Sequence, residues 1–160
     1  MIIMLKDKGT YMLIIKCLNE VKVNVGSLGI LPFNPDKTYV YVGSAFGPGG
    51  LWSRIKRHLT RCKKKFWHID YLLASGNKCH IEAIIVIPCL RVEHELAATL
   101  SKVADGIVKG FGSSDCKCPS HLMFFSITLG EVVSTIKEHL RYKKYKYKVL
   151  LPSFFEGDKD

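Results

Sequence analysis

Acidic residues are in short supply. Fourteen Asp and Glu stand against 24 Lys and Arg, a formal net charge of +10 that would draw the chain toward phosphate polymers or another anionic surface. Long apolar runs are missing too: no stretch of the sequence approaches the roughly 20 residues needed to cross a bilayer. Met1 to Leu5 is too short to form the core of a secretory signal. No contact with a membrane is expected, and the location expected is intracellular, cytoplasmic or nucleoid-associated. Cysteine is too sparse for a small disulfide-built scaffold. Cys17, Cys62, Cys79, Cys89, Cys116 and Cys118 are scattered through a chain able to form its own core, so mostly reduced thiols are expected. Repeats and linkers are also lacking. With 160 residues and 48% hydrophobic composition, the sequence predicts one domain over 1–160, in which 141–160 is a basic and aromatic C-terminal extension.

What is present alternates between strand and helix patterns. Thr10 to Val25, broken at Leu18-Asn19-Glu20, suits two strands joined by a tight hairpin connection. Gly26 to Lys37 reads as a loop. In Thr38 to Val42, period 2 sends Tyr39 and Tyr41 to one face and Val40 and Val42 to the other. A Gly-rich turn then leads to a helix over Leu51 to Cys62, with Leu51, Ile55, Leu59 and Cys62 as its buried stripe. Arg54, His58 and Arg61 flank that stripe at the rim of the core, where a binding groove would lie. Further on, a short helix is expected from Trp67 to Ala74, a buried strand from Ile81 to Ile87 and a helix from Val92 to Ala104. A polar loop at Gly110 to Ser120, a strand at Met123 to Ile127 and a helix at Glu131 to Leu140 complete an α+β or mixed α/β order.

Gly9-Thr10-Tyr11 and Tyr41-Val42-Gly43 at strand positions, followed by a helix bearing Arg54 and His58, resemble the signature of the GIY-YIG nuclease superfamily. Gly49-Gly50-Leu51, Arg57-His58, Trp67 to Leu72 and Gly110 to Cys116 are similar to the archaeal-type branch of that superfamily. That branch has long been catalogued as a domain of unknown function and is found in some proteins attached to endonuclease III. The resemblance runs from about Gly9 to Phe125 and implies a small, mainly antiparallel sheet flanked by helices. It further implies a metal-dependent endonuclease acting on DNA, with Tyr11, Tyr41, Gly43, Arg54 and His58 as site residues and one Mg2+ or Mn2+ ion. Glu95 fits the family's metal-ligand position best. Glu93 also borders the apolar stripe, and periodicity alone does not choose between them. The gap from Met12 to Val40 is longer than usual in the superfamily, and its asparagine has no clear counterpart beyond Ser113, Ser114 or Asp115.

These residue types suit phosphodiester hydrolysis, which needs an activated water, help for the leaving oxygen and positive charge beside the phosphoryl oxygens. One carboxylate can anchor a hard cation that keeps its remaining shell for water and substrate. Arg54 would neutralise the phosphate. Tyr11 would act as base only if its ionised form were favoured, with His58 as the natural proton acceptor. Tyr39 reads as packing.

Other features fit nucleic acid or metal. Arg57, Arg61, Lys63, Lys64 and Lys65, with Lys144 and Lys146 in the run Arg141 to Lys148, could follow phosphates while the tyrosines of that run stack on unpaired bases. His68, Asp70, Ser114, Asp115, Cys116, Cys118 and His121 are accessory candidates. Cys116-Lys117-Cys118 with His121 has a spacing that would suit structural zinc. No fourth ligand is evident, and ordinary loop and core cysteines are the preferred reading. The rivals to an endonuclease are a nucleic-acid-binding module that does not cut and an interaction domain within a repair complex.

Overall fold

The computed structural model describes residues 5–60, 64–74, 78–113 and 117–156. Its middle layer is a six-stranded antiparallel sheet. At the centre lies β1 (Gly9–Cys17), paired on one side with β4 (Thr38–Ala45) and on the other with β5 (Cys79–Pro88). Beyond β4 come β7 (Leu122–Phe125) and the two-residue β6 (Gly106–Ile107), and beyond β5 comes β8 (Lys148–Leu150). A separate antiparallel pair joins β2 (Val21–Asn24) to β3 (Ile30–Phe33).

The inner strands are apolar on both sides because both faces of the sheet are covered. Tyr11, Leu13 and Ile15 of β1 face one core with Tyr39 and Tyr41. Met12 and Ile14 face the other with Val40 and Val42. Four helices stand among the described residues. On the tyrosine face lie α1 (Gly50–Leu59), through Leu51 and Ile55, and α2 (His68–Leu73), through Ile69, Leu72 and Leu73. The β2–β3 pair joins them there through Val23 and Phe33. The opposite face is covered by α3 (Glu93–Val103), through Leu96, Ala97 and Leu100, and α4 (Leu129–Tyr142), through Val132, Ile136 and Leu140. Thr128 and Glu131 close a reciprocal cap at the start of α4. The expected mixed α/β class, with an antiparallel sheet flanked by helices, is what the structure has.

Two local expectations need correction. The strands on either side of Leu18-Asn19-Glu20 do not form a hairpin: β1 joins the large sheet while β2 turns away to β3. Burial decides this, since β1 is apolar on both faces whereas β2 has one buried position in four. The segment from Gly26 to Lys37 holds a 3-10 turn (Gly26–Leu28) and β3, whose Pro32 is tolerated in a two-stranded edge. Cys17 and Cys79 are joined by a disulfide, a pairing that the expectation of mostly reduced thiols did not single out, while Cys89 and Cys118 are not in a disulfide. The β1–β5 register sets them directly opposite each other, a neighbourhood that their separation of 62 residues hides. Among the described residues, no helix is long and apolar enough to cross a membrane.

Candidate active site

The cleft begins with a close approach between two strands. Tyr11 on β1 pairs with Gly43 on β4, and its ring lies directly over that glycine. A Cβ at position 43 would fall 2.5 Å from the Tyr11 phenol, so only glycine fits. The Tyr11 hydroxyl is 2.6 Å from Nε2 of His58, which α1 carries in a buried position. Tyr41 sets its ring edge-on to both His58 and Phe111. Burial pushes the Tyr11 phenol well above its ordinary value, and Arg54 pulls it the other way by charge and by a hydrogen bond. Burial also raises Tyr41, with Tyr11 and Glu93 adding to the effect and Arg54 opposing it. In the free protein both phenols are therefore neutral. A neutral phenol can donate to His58 Nε2 in the tautomer that carries its proton on Nδ1.

Arg54, one turn before His58, reaches into the same space. Its Nη1 donates to the Ser44 carbonyl at 2.9 Å, and its guanidinium lies 4.6 Å over the Trp67 ring. Tyr11, Tyr41, Gly43, Ser44, Arg54 and Trp67 line a cleft of about 210 Å3 together with Glu93, His94, Gly112 and His121.

The structure sets the two candidate carboxylates in different surroundings. Glu93, the first residue of α3, lines the cleft, whereas Glu95 accepts from the Tyr145 hydroxyl at 2.7 and 3.0 Å and pairs with Lys143 at 3.4 Å. Two positions apart on a helix means about 200° of rotation, so one of the two must face away. Thr10 fixes which. Its buried hydroxyl donates to the Leu90 carbonyl at 2.8 Å and accepts from the Val92 amide at 3.0 Å, holding the turn that starts α3. Trp67 lines the cleft and Thr10 supports it from the other face of the sheet, although sequence reasoning assigned neither a role. The Thr10 signal was its place inside the first tripeptide, pointing to the face opposite Tyr11.

Arg57, expected to contact nucleic acid, is a quarter exposed and is engaged within the protein. It binds fully buried Asp70 through both terminal nitrogens, at 2.8 and 3.0 Å, and lies 4.4 Å over Trp67. Asp70 also accepts from the amides of Phe66 and Trp67. Burial would raise its pKa, but the hydrogen bonds from Arg57 and the two amides, with the Arg57 charge, outweigh that and hold the carboxyl below the usual range. Asp70 thus organises α2 and the aromatic wall. His68 accepts from the Gly112 amide at 2.9 Å and so ties the Gly110 loop to the cleft; burial lowers its pKa.

His121 is buried, with Nδ1 3.1 Å from the Val42 carbonyl and 3.4 Å from Glu93. His94, Cys118 and His121 bring their ligand atoms within 4.8 Å of one another. Lys64 and Lys65 are exposed, over the rings of Phe66 and Tyr71. Lys144 and Lys146 are exposed on the α3–α4 side, where Tyr145 and Tyr147 pack in part on the core and Tyr142 of the same run is exposed. Arg61, Lys63, Ser114, Asp115 and Cys116 lie outside the described residues.

Fold and cleft together define a mixed α/β protein with a polar site at the meeting of two central strands and two helix ends. The chain belongs to the family described as Domain of unknown function DUF123, whose model matches residues 10–142 and so includes every cleft residue. No curated protein and no solved structure matches the chain.

Proposed function

We propose that this protein is a GIY-YIG-type endonuclease that hydrolyses DNA phosphodiester bonds with the help of one Mg2+ or Mn2+ ion. The reading rests on one observation: Tyr11, Tyr41, Arg54 and Glu93 line a single cleft, with His58 hydrogen-bonded behind Tyr11. Glu93 offers the hard oxygen donors that such an ion prefers, with its side chain 20% exposed. An ion bound there would supply positive charge at the phosphate and the leaving oxygen. Tyr11 takes the proton of the attacking water as its own hydroxyl proton passes to His58 Nε2. This relay avoids the need for a free phenolate in a buried site. Arg54 stabilises charge gathering on the phosphoryl oxygens and any negative charge on Tyr11. Tyr41 and Gly43 shape the wall against which the scissile group rests. Phe66, 68% exposed, and Trp67, 37% exposed, offer aromatic faces to nucleobases beside the arginines.

The test is nicking of plasmid and branched DNA with magnesium or manganese. Tyr11→Phe, Arg54→Ala and Glu93→Gln should each reduce the rate by about 10²-fold or more with unchanged folding. Glu95→Gln should cut normally. DNA binding without cleavage under every divalent metal tried would favour the non-cutting module instead.

A further inference from the structure

A second cluster adjoins the cleft and has different chemistry. His121 is held rigidly: its amide donates to the Phe111 carbonyl, its carbonyl accepts from the Val42 amide, and its ring is buried. Cys118, three residues earlier, is half-buried in the same loop. His94, in the first turn of α3, has a side chain 62% exposed and a ring 5.6 Å from that of His121, nearly perpendicular to it at 80°. These residues come from two elements distant in sequence, and their ligand atoms all lie within 4.8 Å of one another. A tetrahedral ion with N and S bonds of about 2.0–2.3 Å sets its donors roughly 3.3–3.7 Å apart. Rotation of the exposed His94 side chain closes most of the difference. Glu93 stands beside both imidazoles, 3.4 Å from His121 Nδ1 and 3.6 Å from His94 Nε2, as an acidic neighbour outside the three-ligand cluster itself.

We infer that His94, Cys118 and His121 form a binding site for a divalent cation of the zinc class at the rim of the cleft, with the charge of Glu93 beside it. Thiolate and imidazole donors select zinc over magnesium and manganese, which favour oxygen. Thiolate and carboxylate also offset the positive end of the α3 dipole, which by itself disfavours a cation there. The Cys118 and His121 of the spacing visible in sequence are thus completed by His94, which only the fold brings near. The inference does not depend on the nuclease reading: metal binding and DNA cleavage are separate measurements, and either can fail alone.

The experiment is titration of the full-length chain with cobalt(II), followed by displacement with zinc in excess magnesium. One equivalent of cobalt should give a thiolate-to-cobalt charge-transfer band that one equivalent of zinc abolishes. Cys118→Ser should remove the band, and His94→Ala, at an exposed position that leaves folding intact, should weaken binding by about 10- to 100-fold. Cys89→Ser, an exposed cysteine far from the cluster in function, should change nothing. Absence of the band in the wild-type chain, or its survival in Cys118→Ser, would overturn the site; unaltered affinity in His94→Ala would overturn the ligand set.

Discussion

Asp70 shows how much a single carboxylate can organise. It receives two bonds from Arg57 and two from backbone amides, and Arg57 in turn lies on the Trp67 ring that faces Arg54. Asp70→Ala strips the Phe66 and Trp67 amides and the quarter-exposed Arg57 of their acceptor, so it should destabilise the protein by about 2–3 kcal/mol, as read by denaturant unfolding. The pH dependence has a definite sign. The folded pKa lies below the ordinary 3.8, so this stabilisation is fully present above that value and is lost as pH falls through the depressed one. The stability gap between wild type and variant should therefore be flat above about pH 5 and narrow below about pH 4. A gap that widens in acid would contradict the assignment.

At the scale of elements, the two faces of the sheet divide the work. α1 buries Ile55 between Arg54 and His58, whereas α4 buries Ile136 on the opposite face. Ile55→Ala and Ile136→Ala should each lower stability by about 2–4 kcal/mol. Only the first should also lower cleavage in conditions where both remain folded, because it loosens the helix that aims Arg54. Equal loss of activity from both would mean that the site responds to global stability and not to α1. Much of this architecture was legible in the chain: alternation in Thr38 to Val42 gave the faces of Tyr39 and Tyr41, and the spacing of Leu51 and Ile55 gave the buried stripe of α1. What was hidden depended on contacts between distant segments. Periodicity left Glu93 and Glu95 open, because the deciding contacts are Thr10 with the β5–α3 turn and Tyr145 with Glu95. The Cys17–Cys79 pair, β3 and the His94 contact were hidden for the same reason.

For the whole molecule, an excess of +10 carries its own expectation for DNA. If phosphate contacts dominate, log affinity should fall with log salt at a slope of about −0.9 per phosphate engaged. Lys64→Glu combined with Lys65→Glu should flatten that slope by about 2. Weak binding insensitive to salt, measured by fluorescence anisotropy, would point to a protein partner. One further consequence follows from the adjacency of Thr10 and Tyr11. Neighbours on a strand point to opposite sides, so a single peptide unit fixes the phenol on one face and the entry to α3 on the other. A slip of β1 by one residue would exchange the two faces and spoil both anchor points together. Competence for the proposed chemistry is thereby bound to correct sheet alignment: a chain paired out of register would carry every required side chain and still be inert.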